Sequence, residues 1–584
     1  MARRLKSYVD HLIMADVLVV GGGLAGTSAA IKAAETRAQV TLVDKAVVAR
    51  SGVSVFAAGV YSVRFPEDDK AIWMEEMVKA GEYLNDQYWV EAVLDNVYPV
   101  TMQIDRWGEE HGFRIFEKDE QGFIKRKSRG HIRTHHIVVN SLPMMNSMRK
   151  IAKRKGVQFV ERVMATHLIV RDGRVIGVLG FNTMNGELYL FGARSVVLAS
   201  GGCGLKSVYI GHRNLTGDSQ AMALREGAIL RSLEQTGSNT VSREHDIHGL
   251  NLFVGSGGKF INGLGEEFMW RYHPVLGSRG RQSDLVVAFS REVSEGRGPV
   301  YLDMRSVSPA DRELMRKVLP ETFMLWDKAR IDPFAAPIEW IPAFRLKMGG
   351  GGGLHVNTRC ETNLEGLYAA GDTCCAPHHG TYTFGGMNLA FAAVSGVLAG
   401  GFAAEKAMHS PEMDLEPETE QVAAKIADLF GPAEIPKGPT PDEVTAKLQS
   451  IIIPYPVTYL RTKTSLKKAI SALSNLKEEV DNVRATEPHE LVKAWELKNI
   501  AILAEGFLHS ALAREESRGY HYREDFPWTD NRDWLKWIYV QAASQQEMKI
   551  WTKDVPTPYL KPEKEFDVPP GRPQDEFLRP GEKG

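Results

Sequence analysis

Cysteine is scarce in this chain: four among 584 residues, at positions 203, 360, 374 and 375. That is too few and too scattered for a disulfide framework, and it points to a reducing compartment. No C-x-x-C pair occurs, which argues against a structural zinc or an iron–sulfur cluster held by the chain itself. An excess of either charge is also missing. With 71 Lys and Arg against 73 Asp and Glu the net charge is −2, so no global attraction to nucleic acid or anionic lipid is expected. Nor is there an uninterrupted apolar run of about 18 residues, so no membrane span is expected. Arg3-Arg4 resembles the start of an export signal. The apolar stretch after it is broken by Asp10, His11 and Asp16 and runs into a glycine-rich loop, which suits a strand better. A cytoplasmic protein is the expectation.

What is present begins at residue 16. Asp16 to Val20 reads as a short buried strand, Gly21-Gly22-Gly23-Leu24-Ala25-Gly26 supplies G-x-G-x-x-G, and the alanine-rich Thr27 to Glu35 suits a helix. Gln39 to Val43 is a second apolar strand, ended by Asp44. Each part has a physical task. The first glycine permits a tight turn, the second lets backbone N–H groups approach a pyrophosphate, and the third allows helix to pack closely on strand. Asp44 is placed to accept from a ribose hydroxyl. The pattern points to a dinucleotide without separating FAD from NAD.

Further segments follow in order: Arg50-Ser51-Gly52-Val53 continuing to Ala57-Ala58-Gly59; the strand Ser195 to Leu198 running into Ala199-Ser200-Gly201-Gly202; Asn214-Leu215-Thr216-Gly217-Asp218; Gly366-Leu367-Tyr368-Ala369-Ala370-Gly371-Asp372; and Glu516-Ser517-Arg518-Gly519-Tyr520-His521-Tyr522-Arg523-Glu524-Asp525. Together with the opening motif they resemble the flavoprotein subunits of the succinate dehydrogenase and fumarate reductase superfamily, over residues 16 to 525. The resemblance implies FAD, held by Gly21, Gly23, Leu24, Ala25, Gly26, Asp44, Lys45, Ser51, Gly52, Gly59, Ser200, Gly201, Asn214, Asp218, Asp372, Asn388 and Leu389. Members of the family that bind FAD covalently do so through a His directly after the Ser; Gly52 stands there, so non-covalent FAD is implied.

The implied fold is α/β: a Rossmann-like FAD-binding domain in two parts (12–235 and 345–405), an inserted α+β capping domain (236–344), a C-terminal helical domain (410–530) and an extended tail (531–584). Asp172-Gly173 and Asn185-Gly186 are hairpin signals, so His167 to Phe191 is expected as an antiparallel meander beside the main sheet. Leu466, Ile470, Leu473 and Leu476 recur at helical spacing. The proline-rich, charged stretch from Asp554 reads as disordered or laid across a partner.

The match weakens where the family holds its dicarboxylate. The family's His-Pro-Thr-Gly segment becomes Leu233-Glu234-Gln235-Thr236-Gly237-Ser238-Asn239, with Asn239 nearest the His; its clamping Arg becomes Thr383; and Gln282 falls opposite its proton-donating Arg, with Arg279 and Arg281 beside it. Arg345 replaces a His before Met348-Gly349-Gly350. A Thr cannot bind a carboxylate bidentately as Arg does. A cationic, polar set remains, and Arg345, His378, His379, Tyr382 and Arg281 are the candidates for catalysis, with Gly130 to His136 a second histidine-rich segment near the substrate entrance. The vicinal Cys374-Cys375 reads as two small buried residues rather than a redox pair. No metal site is expected.

Arg291 to Asp303 is similar to a segment of adenylylsulfate reductase alpha subunits, which work with a ferredoxin-like iron–sulfur subunit. The expectation is therefore an FAD oxidoreductase moving two electrons to or from a small or CoA-linked anionic substrate. A separate iron–sulfur partner in a hetero-oligomer would supply or take the electrons. Two alternatives are an electron-transfer subunit with a degenerate site and an oxidase resembling L-aspartate oxidase.

Overall fold

The computed structural model describes residues 5–57, 59–127, 131–207, 212–245, 247, 249–346, 352–382, 385–411, 413–543 and 547–568. Its centre is a seven-stranded sheet. The first strand, His11–Val20, lies between Val40–Asp44 on one side and Leu188–Leu198 on the other, parallel to both. Gln158–Glu161 extends the sheet beyond Val40–Asp44, and Leu367–Ala369 pairs with Leu188–Leu198, again in parallel. Val17 to Val20 are buried, as a strand covered on both faces requires.

The meander belongs to this same sheet. Val163–Arg171 and Arg174–Asn182 pair antiparallel, and the second pairs antiparallel with Leu188–Leu198. Asp172 and Gly173 take positive φ (49° and 77°) in the connecting turn, as a type I′ turn demands.

The helix Leu24–Ala34 crosses from the first strand to the second, and the helix Met387–Met408 lies against it. The contact depends on glycine: a Cβ at Gly396 would fall 2.3 Å from the Ala25 carbonyl oxygen, and one at Gly400 2.2 Å from that of Ala29. By length and composition Met387–Met408 could cross a membrane, but 67% of its apolar window is buried inside the fold. It is a core helix here.

Residues 247–340 carry a core of their own, in which Phe253, Phe260, Phe289, Leu302, Trp326 and Trp340 are buried together. Its sheet runs Gly237–Ser242, Ile338–Arg345, Tyr301–Asp303, Lys259–Ile261, all antiparallel. Farther on, Lys463–Asp481 buries Leu466, Leu473 and Leu476 while Ile470 is half-buried, and Pro488–Ala513 packs beside it.

The extended tail expected from residue 531 needs correction. Lys536–Ala542 and Met548–Asp554 form an antiparallel pair that joins Leu230–Arg231, and Trp537, Ile538, Tyr539 and Val540 are buried. The chain then lies back on its own surface. Gln87 accepts from the Tyr559 and Leu560 N–H groups and donates to the Leu560 carbonyl, and Phe566–Asp567 pairs with Thr529–Asp530. The proline-rich Pro569-Pro570-Gly571 falls outside the described residues.

Candidate active site

A cavity of about 830 Å³ opens where the central sheet, the capping domain and the C-terminal segment meet. One end is the turn after the first strand. Gly21 takes φ +107°, and a Cβ there would sit 2.4 Å from the Ala199 carbonyl oxygen. Gly26 is packed harder still: its Cβ would lie 1.8 Å from the Gly21 carbonyl. The helix Leu24–Ala34 therefore starts against the cavity with Gly23 as an N-cap that makes no side-chain capping bond. Amides at such a helix start are a ready anion site.

Asp44 ends the second strand with its carboxylate accepting from the N–H groups of Gly22 and Ala46, each at 2.7 Å. Burial lifts its pKa, opposed by those bonds and by Lys45. Lys45 is drawn into a buried knot: its Nζ donates to Asp218 at 2.9 Å, to Glu496 at 2.7 Å and to Thr216 at 3.1 Å. Asn499 donates to Asp218 from the long C-terminal helix, which fixes that helix to this end of the cavity.

Of the residues expected to hold the cofactor, Gly21, Gly23, Leu24, Ala25, Asp44, Lys45, Ser51, Gly52, Ser200, Gly201, Asn214, Asp218, Asp372, Asn388 and Leu389 line the cavity. Gly26 stands behind the wall as a packing glycine. Gly59, at φ +70°, also lies outside the lining, its N–H donating to the Ala57 carbonyl. A long cavity that begins at a glycine turn and a helix start, where Ser54 Oγ accepts from the Leu24 N–H at 3.1 Å, suits a dinucleotide.

The other end is built by the capping domain. Arg345, at the end of its strand, and Tyr382 both line the cavity. Arg345 is buried, with Nη1 3.3 Å from a ring nitrogen of His212. Burial, and then the charge of Arg345, hold His212 far below the ordinary imidazole pKa, so it is neutral. Asn239, Gln282, Asn251 and Tyr520 complete this end. Gln282 Nε2 donates to Asn239 Oδ1 at 2.9 Å, and Tyr520 donates to the Ser238 carbonyl at 3.2 Å.

Three catalytic candidates stand elsewhere. Arg281, one residue before Gln282, is turned away: it donates to Glu82 at 2.8 Å, to Asp284 at 3.2 Å and to the Ala80 carbonyl at 3.0 Å. These carboxylates hold its charge, and it ties the capping domain to the loop after Lys70–Ala80. His378 is fully buried and stacks on Phe391 at 4.1 Å, with the His379 ring 3.6 Å away. His379 bonds Asn388 Oδ1 at 2.7 Å, so it braces a cavity residue from behind. Thr383 falls outside the described residues, as do Met348 to Gly350. His131 is also behind the wall, 3.1 Å from the carbonyl of the lining residue Gly385, and burial pushes its pKa down to about 4. Cys374 and Cys375 are buried, and neither lines the cavity.

His212 is the residue that sequence reasoning missed. It stands two positions before Asn214, so the loop was marked by its motif while the partner, Arg345, lies 133 positions away.

A glycine-turned sheet, a helix start facing it and a long cavity under a separate cap define a dinucleotide-binding protein. The FAD binding domain family matches residues 16–389, and the fumarate reductase flavoprotein C-terminal family matches residues 446–568. A fumarate reductase (CoM/CoB) subunit of Methanothermobacter marburgensis is 31% identical over 560 residues, covering 92% of this chain and 99% of that protein. The succinate dehydrogenase flavoprotein subunit of Rickettsia felis is 28% identical over 566 residues, covering 89% and 92%. Among solved structures, FrdA of E. coli quinol fumarate reductase superposes with a TM-score of 0.85 at 25% identity, covering 95% of this chain and 99% of that one. Adenylylsulfate reductase of Archaeoglobus fulgidus shares the fold, with a TM-score of 0.79 at 20% identity over 96% and 98%. The chain belongs to the fumarate reductase and succinate dehydrogenase flavoprotein family, and it is an FAD-dependent oxidoreductase.

Proposed function

We propose that this chain is the catalytic subunit of a larger redox assembly, acting on an activated carbon–carbon double bond of an anionic organic substrate. A separate iron–sulfur subunit supplies or removes the electrons. FAD, when bound, supplies two-electron exchange with the substrate. The observation that carries the reading is the continuous cavity that runs from the helix start at Gly23 to the buried Arg345–His212 pair beneath the cap. Arg345 attracts and orients an anionic group, and burial strengthens that attraction. The cap excludes water from the reacting end.

The neutral His212 stands beside Arg345, its ring nitrogen 3.3 Å from Nη1, and positions that guanidinium at the reacting end of the cavity. FAD is held without a covalent bond in this reading, because Gly52 offers no side chain for attachment. The partner is supported by the chain's own cysteines, which are buried and form no ligand set among the described residues. The relatives point the same way, since they too are named as subunits.

The test is anaerobic purification from the source, with native mass, iron content and dye-linked assays on unsaturated acids and their CoA esters. Co-purifying iron–sulfur protein and turnover of such an acid are expected. A homogeneous iron-free flavoprotein that consumes oxygen would overturn the partner and the assembly together.

A further inference from the structure

The substrate-facing wall of the capping domain carries a pair of neutral amides, and their hydrogen-bonding count defines what can sit against them. Asn239 lies on the strand Gly237–Ser242 directly opposite Ala343, so it shares a sheet face with Arg345, two residues along the partner strand. Gln282 opens the helix Gln282–Ser294 and reaches Asn239 at 2.9 Å. Both residues line the cavity. The other terminal atom of the Gln282 amide, placed as Oε1, is shielded from solvent and meets no hydrogen-bond partner.

Oxygen and nitrogen of an amide can be exchanged by rotation, but the count does not depend on the choice. One amide gives a donor to the pair and the other an acceptor. What remains outside the pair, in either orientation, is three N–H bonds, two of them on the amide that accepts, and one carbonyl oxygen that needs a donor. A carboxylate has acceptors only and would set lone pairs against that remaining carbonyl. A primary amide or a hydroxyl offers both a donor and an acceptor. The positive charge that would compensate a second carboxylate is withheld, because the neighbouring Arg281 is bonded to Glu82 and Asp284.

We infer that the substrate is a monoanion, with its carboxylate held at Arg345 and a neutral amide or hydroxyl group against Asn239 and Gln282. This rests on the reading of the cavity as the site of double-bond chemistry. Asn239 and Gln282 then determine specificity by excluding a dicarboxylate.

Fumarate and its monoamide, fumaramate, differ at the decisive group alone, so they are the probes. Each is titrated into the oxidised FAD-loaded protein while the flavin absorption is followed. Fumaramate is expected to bind roughly tenfold or more tighter than fumarate, and Gln282→Arg is expected to reverse the order. Gln282→Leu, close in volume and without polar atoms, is expected to remove the preference while FAD content stays unchanged. Equal or tighter binding of fumarate by the unmodified protein overturns the inference, and so does a spectrum that neither compound perturbs. Reoxidation of the reduced protein is scored separately. Preferential fumaramate binding without reoxidation would refute the double-bond reading and leave the amide preference standing.

Discussion

Glu82 is the residue whose removal should loosen the cap. It stands in the left-handed region at φ 50°, in the loop after the helix Lys70–Ala80. Its Oε1 accepts from Arg281 of the capping domain at 2.8 Å and its Oε2 from the N–H of Gly519 at 3.1 Å. Its backbone carbonyl accepts from Arg518 at 2.7 Å. Three separate parts of the chain meet on one residue. Breaking a buried ion pair costs about 3–5 kcal/mol when one charge is left behind. Arg281 keeps Asp284, and burial already lifts the Glu82 carboxyl above its usual range, so the lower end applies, about 3 kcal/mol. At about 1.4 kcal/mol per decade this shifts the cap's opening equilibrium by about two orders of magnitude. Hydrogen exchange of the Gln282–Ser294 amides in the FAD-loaded protein reads that shift. Glu82→Ala should accelerate exchange there by about a hundredfold and leave the Leu24–Ala34 helix unchanged. Glu82→Gln, which retains one acceptor oxygen, should fall between. Exchange within about threefold of the unmodified protein in Glu82→Ala would show that Glu82 does not hold the cap.

Gly26→Ala should displace the opening helix from the Gly21 turn; overpacking of about 1–3 kcal/mol predicts roughly ten- to hundredfold weaker FAD binding, read as flavin retained per protein after gel filtration. His131 has a folded pKa of about 4 against an ordinary 6.5, so between these values the unfolded chain binds the proton that the folded one refuses. Stability should therefore fall as pH drops from 6.5 towards 4, by at most about 3 kcal/mol. In urea titrations across that window His131→Gln should show a shallower slope, while the other buried histidines with depressed pKa values, among them His136, His212, His355 and His521, keep theirs; an unchanged slope would refute the assignment. Acid precipitation of the holoprotein should release all FAD to the supernatant, and flavin in the pellet would contradict non-covalent binding at Gly52.

The dinucleotide end was legible because its signal is local. Strand, glycine turn, helix and terminal acid lie within thirty residues of one another (Asp16 to Asp44), and Gly21 and Gly26 are each fixed by a contact that a Cβ would violate. The C-terminal hairpin was missed although Lys536 to Ala542 is rich in aromatic and branched residues. The proline content that follows masked it, and its pairing partner, Leu230–Arg231, is remote in sequence. The resemblance sets Gln282 opposite the family's proton donor, yet Arg281 beside it stands among the catalytic candidates. They are adjacent, but Arg281 is the N-cap and Gln282 the first helical residue of Gln282–Ser294, so their side chains leave the backbone in different directions. Glu82, Asp284 and the Ala80 carbonyl then hold Arg281 away from the cavity.

The distribution of charge around the cap gives the site its character. Glu234, Arg514, Glu516 and Arg518 are fully buried and bonded in succession, from Glu234 to Arg514, to Glu516, to Arg518, and Arg518 reaches the Glu82 carbonyl. Arg281 extends the same system into the capping domain. Buried charges of this kind are tolerated only when paired, and each pairing removes a cation or a carboxylate from the chemistry of the cavity. The wall that faces the substrate is consequently built from amides, phenols, a neutral imidazole and the guanidinium of Arg345. Groups that do not titrate near neutral pH discriminate by donor and acceptor geometry rather than by charge. Such discrimination is steep, because a mismatched group leaves a buried polar atom without a partner. The ion network fixes where the cap sits, Arg345 supplies the charge this wall offers an anion, and the uncharged groups around it discriminate among anions.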